Sequence, residues 1–577
     1  MRVPAAALFL GIVFATSAGA QVAAVPAPQD APPNAPMRGP NGRYHVLQPG
    51  IVTPRPPPAP PVALPPAPDL KPYVPPPVPV HTTPPPQPDA VVATSFGQIG
   101  GDDVGDGTWT FKAIPFAKPP VGDLRWTPPQ DPDPWQGVRY SQASAPACLQ
   151  VSYGWNADLA KTSAEDCLYL ELRTPALDVH AKKPVMVFIH GGANRAGGAT
   201  GTIYSGFASK DVVIVSLQYR LGVFGFMSHP ALTQESPHRA SGNYALLDLM
   251  QALYWIKDNI AQFGGDPGNV TVFGHSAGGG DVGMLLSSPL ARGLFNKAII
   301  ESGPPQFGFA PRTLAQNETL GSDLAARFST ARPDGKGALA DLRHAPAAQL
   351  QAAADTLDAP IDDDSFIWDQ ATVDGYVLPR APEDVFRAGK EARVPLLIGV
   401  SAQEIGLHGG DDAIYRKIYD TFGDGRFRAM RLYGVDVSHR PKQDKLLGDT
   451  AMQVSTDTMM RCPSDWVAWH HTAAGMHAWF YQLDVTEGEG PVHHGSELSY
   501  VMNLRPFGKH DADWPPLQDY WVNFARSGNP NGPDAGGRAL TGWPAYGANQ
   551  SYIEFTSRGA QAGRNLRGKI CALLDRP

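Results

Sequence analysis

Residues 269–280 carry the strongest structural signal in this chain, and they read Asn269-Val270-Thr271-Val272-Phe273-Gly274-His275-Ser276-Ala277-Gly278-Gly279-Gly280. The apolar run 270–273 predicts a buried strand, which enters a Gly-x-Ser-x-Gly pattern centred on Ser276. Between a strand and a helix, this pattern makes a strained turn that projects the serine hydroxyl above the sheet edge. A serine hydroxyl alone is a weak nucleophile, so the interpretation requires a base and an orienting acid. The alternative is a glycine-rich turn before an amphipathic helix.

A second glycine-rich loop lies upstream, directly after the apolar run 185–189, and reads His190-Gly191-Gly192-Ala193. Such a loop can direct backbone N–H groups toward an oxygen that gains negative charge during acyl transfer. The alternative is an ordinary turn that leads out of a strand. Because the serine pattern follows downstream, we favour the oxyanion-binding role.

Apolar runs and one clear helical pattern alternate along the chain. The runs 185–189, 212–217, 270–273 and 396–400 are typical of buried parallel strands. Between two of them, apolar side chains recur at three- and four-residue steps: Leu246, Met250, Leu253, Ile256 and Ile260. This helix is expected to end at Gly264-Gly265. The pattern predicts an α/β fold with a large, mostly parallel central sheet flanked by helices.

Composition excludes several classes of protein. The chain has 577 residues, of which 42% are hydrophobic and 18% charged, so it is neither a polytopic membrane protein nor wholly disordered. Its formal net charge is −8 at pH 7. A negative chain of this kind is not expected to bind nucleic acid or an anionic membrane surface.

The first ninety residues differ in composition from the rest. Residues 1–20 have a basic start, an apolar stretch and a small-x-small ending, which predicts a bacterial-type signal peptide and a secreted or periplasmic protein. A retained membrane anchor is the alternative; once the signal is cleaved, no stable membrane insertion is expected. Residues 21–90 contain 25 of the 59 prolines and predict a disordered tether, whose partner, if any, the sequence does not identify. The globular domain is expected to span residues 91–577.

Several ordered motifs make residues 91–577 resemble the type B carboxylesterase/cholinesterase-like family of α/β-hydrolases. They lie at residues 111–117, 119–126, 165–170, 219–226, 263–274 and 520–526. The resemblance implies an α/β-hydrolase fold with long helical and loop insertions around the active-site gorge. It also implies a serine esterase that acts on a small-molecule ester and needs neither a metal nor an organic cofactor.

The resemblance also implies the other catalytic residues. The acid of the family follows a strand in a Gly-x-x-x-x-Glu-Gly-like segment, which here places Glu404 with Ile405 interposed before the glycine. The histidine stands in His-Gly-x-Glu-Leu, which matches His494 rather than the neighbouring His493. The order of Ser276, Glu404 and His494 is the one this fold uses. By the same resemblance, the oxyanion hole is built from the N–H groups of Gly192, Ala193 and Ala277.

Two departures from the family pattern bear on specificity. Many members carry glutamate before the nucleophile and an aromatic residue after the glycine run, whereas this chain has His275 and Asn194, the latter followed by Arg195. These three residues are therefore candidates for the substrate pocket. The guanidinium of Arg195 could favour acyl groups that carry an acid, because it binds carboxylates in a two-point fork. The alternative for Arg195 is a solvent-facing side chain or one that pairs with a local acidic residue.

The resemblance further implies a Cys148–Cys167 disulfide and a buried ion pair between Arg125 and Glu165. Cys462 and Cys571 are candidates for a second pair in an exported protein. Two other functions remain open at this point. One is a catalytically inactive adhesion or binding module of the same fold, and the other is an amide, thioester or lactone hydrolase that uses the same triad.

Overall fold

The computed structural model describes residues 87–305, 311–357, 370–435, 443–486, 490–504 and 514–574. The predicted signal peptide and residues 21–86 of the predicted tether lie outside these ranges. Within the described ranges, no helix combines the length and the apolar character needed to span a membrane.

The architecture is one thirteen-stranded mixed sheet with a separate two-stranded sheet, β10-β11. The strands, in chain order, are β1 Ala90–Ala93, β2 Gln98–Asp103, β3 Trp109–Pro115, β4 Val138–Tyr140, β5 Tyr169–Thr174, β6 Lys183–Ile189, β7 Val213–Leu217, β8 Gly265–His275, β9 Lys297–Glu301, β10 Arg312–Thr313, β11 Thr372–Val373, β12 Leu396–Ser401, β13 Ala478–Asp484, β14 Ser551–Thr556 and β15 Gly559–Arg564. The order across the large sheet is β1-β2-β3-β5-β7-β6-β8-β9-β12-β13-β14-β15, and β4 pairs with β2.

The centre of the large sheet, from β7 through β14, is parallel, and antiparallel strands complete both edges. The four apolar runs predicted as buried parallel strands correspond to β6, β7, β8 and β12. Because the carboxyl ends of parallel strands meet at one edge of the sheet, the loops after β6, β8, β12 and β13 lie on the same side. These loops carry the predicted site residues.

Helices cover the sheet. They are α1 Ala157–Thr162, α2 Gly222–Phe226, α3 Pro230–Glu235, α4 Tyr244–Asn259, α5 Ala277–Ser287, α6 Leu314–Ala325, α7 Lys336–His344, α8 Ala347–Ala354, α9 Pro382–Arg387, α10 Gly410–Phe422, α11 Arg426–Tyr433, α12 Thr450–Thr456, α13 Cys462–Ala473, α14 Ser496–Val501, α15 Leu517–Ser527 and α16 Gly568–Cys571. The predicted helix corresponds to α4. A single 3₁₀ turn follows it, and Gly264 ends that turn in the left-handed conformation with a φ of 74°.

Both faces of the sheet are buried, which explains why its central strands are apolar without interruption. Along β6, Val185 and Val187 pack into the cluster that contains the inward face of α4, and Met186 and Phe188 pack into the cluster that contains α15. Side chains of a strand alternate between the two faces. The parallel strands are therefore held between two helical layers, and this fixes their carboxyl ends in space.

All four cysteines are paired. Cys148 is bonded to Cys167 and Cys462 to Cys571, as the resemblance and the expected export suggested. The first bridge closes a loop of 19 residues, for which the chain-entropy model gives roughly 3 kcal/mol of stabilisation. The second joins the start of α13 to α16 near the C-terminus, across 109 residues.

Arg125 and Glu165 form a two-point ion pair, with Nε to Oε1 and Nη2 to Oε2 both at 2.7 Å. Their side chains are only 6% and 15% exposed. The remaining guanidinium nitrogen, Nη1, donates to the carbonyl oxygens of Leu342, Arg343 and Ala345. Arg125 therefore joins the loop near the first disulfide to the end of α7.

We predict that Arg125→Met lowers the free energy of unfolding by about 3–5 kcal/mol, because it leaves the Glu165 carboxylate buried without a partner. Thermal unfolding followed by circular dichroism checks this. Lys118→Met is the control: Lys118 pairs with Asp133, whose side chain is 80% exposed, so its effect should stay within about 1 kcal/mol. Equal melting temperatures for Arg125→Met and the wild type would contradict the prediction.

Candidate active site

The turn between β8 and α5 presents Ser276 at the carboxyl edge of the sheet. Ser276 has φ 58° and ψ −127°, a conformation that side-chain-bearing residues rarely adopt. A Cβ on Gly278 would lie 2.1 Å from the carbonyl oxygen of Ile189, and one on Gly274 would lie 2.5 Å from Gly278. Only glycine fits at these two positions, so the local sequence determines the strained turn.

The structure brings Ser276, His494 and Glu404 together from three separate loops. The Oγ atom of Ser276 lies 2.8 Å from Nε2 of His494, and Nδ1 of His494 lies 2.6 Å from Oε2 of Glu404. A carboxylate only accepts hydrogen bonds, so Nδ1–H donates to Glu404 and leaves Nε2 free to accept from the serine hydroxyl. This is the geometry of a nucleophile, a base and an orienting acid.

The acid is held from both sides. Glu404 follows β12, is 4% exposed, and accepts a 2.7 Å hydrogen bond at Oε1 from the backbone N–H of Ser401. Its own N–H donates to Oγ1 of Thr456 at 3.1 Å. One carboxylate oxygen is thus occupied by the backbone and the other by His494, and this fixes the direction of the carboxylate.

The histidine loop follows β13, on the same side of the sheet. His494 faces Ser276, whereas the neighbouring His493 is exposed. Burial alone would lower the pKa of His494, but the hydrogen bond and the negative charge of Glu404 outweigh burial and raise this pKa above its usual value. The imidazole therefore binds a proton more tightly than a free histidine does.

The loop after β6 passes directly beside the nucleophile. A Cβ on Gly191 would lie 2.5 Å from the carbonyl oxygen of His275 and 3.0 Å from Cβ of Ser276. Gly192 and Ala193 have φ values of 119° and 52°. Within the described part of the chain, the N–H groups of Gly192, Ala193 and Ala277 donate no hydrogen bond. These three donors are therefore available to an oxygen that approaches Ser276.

Asn194 is placed differently from the expectation of a substrate contact. Its side chain is buried, and its Nδ2 atom donates to Oδ1 of Asp281 at 3.2 Å. Its Oδ1 atom accepts from the hydroxyl of Tyr219 at 3.1 Å. The amide therefore belongs to the support beneath the loop, which argues against direct contact with an acyl group.

His275 also points inward. Its side chain is buried, its ring centroid lies 4.6 Å from that of His494, and its Nε2 lies 3.7 Å from Oε1 of Glu497. Burial, together with the charge of His494, holds the pKa of His275 well below its usual value. A neutral His275 thus packs behind the His494 imidazole.

Arg195 lies at the rim of the loop and is partly buried. Its guanidinium carbon is 4.7 Å from the ring centroid of Tyr153, an aromatic residue with an exposed face. It also acts electrostatically on Asp355. Burial raises the pKa of this carboxyl group, and the positive charge of Arg195 opposes part of that rise. Among the three pocket candidates, Arg195 is therefore the one whose side chain is not fully buried.

A buried carboxylate behind the triad was missed as a functional residue. Glu497 accepts hydrogen bonds from the hydroxyls of Ser302 at 2.6 Å and Ser401 at 3.2 Å. Burial and the negative charge of Glu404 raise the pKa of Glu497 to about 7. The sequence did contain a signal, because Glu497 belongs to the His-Gly-x-Glu-Leu motif, but that motif served only to locate His494.

The described residues contain no group of three or more His, Cys, Asp or Glu side chains that could hold a metal ion. The groups around Ser276 are a hydroxyl, an imidazole, a carboxylate and three N–H donors. Together they can transfer an acyl group from a carbonyl substrate.

Comparison with known proteins agrees with this geometry. A model of the carboxylesterase family matches residues 88–574. The chain is 33% identical to the fumonisin B1 esterase of Sphingopyxis macrogoltabida over 476 residues, which is 78% of this chain and 83% of that protein. It is 34% identical to the precursor of a medium-chain fatty acyl-CoA hydrolase of Anas platyrhynchos over 494 residues, 77% of this chain and 84% of that protein.

A solved structure shows the same fold. The carboxylesterase EST55 of Geobacillus stearothermophilus superposes with a TM-score of 0.69 and 31% identity, and the match covers 84% of this chain and 100% of that one. The thirteen-stranded, mostly parallel sheet and its flanking helices are those of an α/β-hydrolase. The chain therefore belongs to the carboxylesterase family and is a carboxylic ester hydrolase with the α/β-hydrolase fold.

Proposed function

We propose that this enzyme hydrolyses esters through an acyl-enzyme intermediate on Ser276. The observation that carries the proposal is the unbroken chain of two hydrogen bonds from Ser276 through His494 to Glu404, at 2.8 and 2.6 Å. In this proposal His494 is the general base, Glu404 orients it and stabilises its cation, and Gly192, Ala193 and Ala277 form the oxyanion hole.

The steps follow from these positions. His494 Nε2 takes the hydroxyl proton while Ser276 Oγ bonds to the carbonyl carbon. The resulting oxyanion accepts hydrogen bonds from the three backbone N–H groups. Collapse of this intermediate breaks the bond to the alcohol oxygen, which receives the proton from His494. Water then attacks the acyl-enzyme, again giving a proton to His494. The carboxylic acid leaves, and Ser276 regains its proton.

A thioester substrate is the second candidate, because one relative is named a fatty acyl-CoA hydrolase. The attacking group and the oxyanion are the same for an ester, a thioester, an amide or a lactone, so a substrate panel separates these cases.

An inactive binding module of this fold is less well supported, because all three triad positions are filled and in contact. The likeness to fumonisin B1 esterase makes fumonisin B1 a compound to include in the panel.

We also propose that the enzyme is exported by a bacterium, to the periplasm or the medium. Two disulfides among the described residues support an oxidising compartment. Residues 1–20 have the composition of a signal peptide. N-terminal sequencing of the protein from the periplasm and the medium would identify the compartment and the cleavage site.

We predict that Ser276→Ala lowers kcat for a simple aryl ester by at least ~10⁴-fold, because no other nucleophile is presented at the site. Labelling with a fluorophosphonate probe should disappear in the same variant. Ser288→Ala is the control, since Ser288 is a buried serine that caps a turn after α5. If Ser276→Ala turned over near the wild-type rate, the mechanism would be refuted.

Glu404→Gln should lower kcat by about 10⁴-fold and move the acidic limb of the kcat/KM profile to lower pH. His494 is active as a base when neutral, so activity is lost as pH falls through its pKa. The Glu404 charge and hydrogen bond raise that pKa, and the substitution removes the charge. Asp133→Asn, at an exposed carboxylate, is the control for a change in net charge. An unmoved acidic limb would show that Glu404 does not set this pKa.

Arg195→Ala should reduce kcat/KM by ~10-fold or more for an ester whose acyl chain carries a carboxylate, and leave a neutral ester of the same shape little changed. The reason is that Arg195 follows the loop that carries Gly192 and Ala193, is not fully buried, and has a guanidinium that can bind a carboxylate in a two-point fork. Arg332→Ala provides the matched control, because the Arg332 side chain is 82% exposed and pairs with Asp334. Equal effects on the two esters would instead support the pairing of Arg195 with an acidic residue such as Asp355.

A further inference from the structure

A buried polar cluster joins the oxyanion loop to the helix that follows the nucleophile. Asp281 lies on α5, five residues after Ser276, and is 2% exposed. Its Oδ1 atom accepts from Nδ2 of Asn194, and the Asn194 Oδ1 accepts from the hydroxyl of Tyr219. We propose that Asp281, Asn194 and Tyr219 are positioning residues that hold the oxyanion loop in register with Ser276. This inference rests on the proposed acyl-enzyme mechanism.

The oxyanion loop has a conformation that needs external support. Ala193 and Asn194 have φ values of 52° and 53°, two consecutive non-glycine residues in the left-handed region, and they follow Gly192 at 119°. Side-chain-bearing residues rarely occupy this region unless the surroundings hold them there. The cluster supplies such contacts directly at Asn194, the residue that follows the Ala193 donor.

Tyr219 connects both ends of the loop. Its single hydroxyl hydrogen is shared between two acceptors, the carbonyl oxygen of His190 at 2.7 Å, before the glycines, and Oδ1 of Asn194 at 3.1 Å, after them. Its ring is buried and lies 4.5 Å from the imidazole of His190. One rigid phenol therefore fixes the separation between the start and the end of the loop.

The backbone of the loop completes this support. The carbonyl oxygen of Gly192 accepts from the N–H groups of Arg195 and Ala196, at 3.2 and 3.0 Å. The carbonyl oxygen of Asn194 accepts from the N–H of Gly222 at 2.6 Å. The C=O and N–H groups of a trans peptide unit point in opposite directions, so the engaged carbonyl of Gly192 fixes the direction of the Ala193 N–H.

Asp281 is the member of this cluster that lies on α5, the helix that follows Ser276. Ala277, the third donor, begins the same helix. A hydrogen bond from Asn194 to Asp281 therefore fixes two donors of the loop relative to the donor of the helix. Asp281 also has a second oxygen, Oδ2, without a hydrogen-bond partner among the described residues, and burial raises its pKa to about 7. A carboxyl group this buried indicates a specific role, because an apolar side chain would avoid its desolvation.

The mechanism by which the cluster acts predicts a specific kinetic signature. The oxyanion exists in the transition state and not in the bound ester, so displaced donors lower kcat and leave KM unchanged. Displaced donors also weaken the binding of a trifluoromethyl ketone inhibitor. Ser276 Oγ attacks the carbonyl carbon of this ketone, and its oxygen then becomes an oxyanion in the same place. A residue with a purely structural role would lower the amount of folded enzyme without changing the kinetics of each active site.

The test compares Asp281→Leu, Asn194→Ala and the double variant in the full-length enzyme. Active sites are counted by fluorophosphonate titration run to completion, and rates are expressed per titrated site. We expect each single variant to lower kcat by ~10–100-fold with KM within ~2-fold, and to raise the inhibition constant of the ketone by a similar factor. Asp281→Leu removes the acceptor of the hydrogen bond from Asn194 Nδ2, and Asn194→Ala removes its donor, so the double variant should lose no more kcat than the more impaired single variant.

Two controls separate a positioning role from general damage. Asp281→Asn keeps an acceptor oxygen in place and should restore kcat to within ~3-fold of the wild type. Asp374→Leu removes another buried carboxylate, which binds the N–H groups of Tyr376 and Leu378 away from the site, and should leave kcat per titrated site unchanged.

Wild-type kcat per titrated site in Asp281→Leu and Asn194→Ala would overturn this inference, as would additive losses in the double variant. If Asp281→Leu does not fold, Asn194→Ala alone decides, since it changes a loop residue and keeps the core helix intact. Failure of the proposed mechanism gives a different result: the wild type is not labelled by the fluorophosphonate, and Ser276→Ala remains active.

Discussion

The close approach of three backbone segments at Ser276 is the constraint on which the rest of the site depends. Gly278 lies against the end of β6, Gly274 lies against Gly278, and Gly191 lies against the carbonyl of His275, each without room for a Cβ. Backbone contacts of this kind cannot adjust as a flexible side chain does. The turn that carries Ser276 and the loop that carries Gly192 and Ala193 are therefore brought together by backbone contacts at the edge of the sheet.

Electrostatics at the site depends on which buried carboxylate reaches His494. Glu404 does so directly, with its second oxygen occupied by the N–H of Ser401. Glu497 lies behind it, binds two serine hydroxyls, and has a pKa raised by burial. Two buried carboxylates therefore lie close to His494, and their hydrogen-bond partners differ.

Much of the fold and of the candidate site could be predicted from the sequence, because the deciding patterns are local. A strand that enters Gly-x-Ser-x-Gly specifies its own turn, and the apolar runs specify buried parallel strands with bounds that differ from the structure by a few residues. Glu404 was harder, since Ile405 interrupts the pattern and only the family motif located it. The pairing of Cys148 with Cys167 likewise came from the resemblance and not from the spacing of the cysteines.

The sequence alone determined the residues of each motif, the order of Ser276, Glu404 and His494, and the apolar character of the central strands. The directions of Asn194 and His275 were decided only by the tertiary structure. Both residues adjoin the catalytic groups along the chain, yet their side chains turn inward, toward Asp281 and Glu497 respectively. Those partners lie 87 residues away in one case and more than two hundred in the other. A side chain's direction depends on which groups from distant parts of the chain pack against it or bind it after folding, and the local sequence does not specify those neighbours.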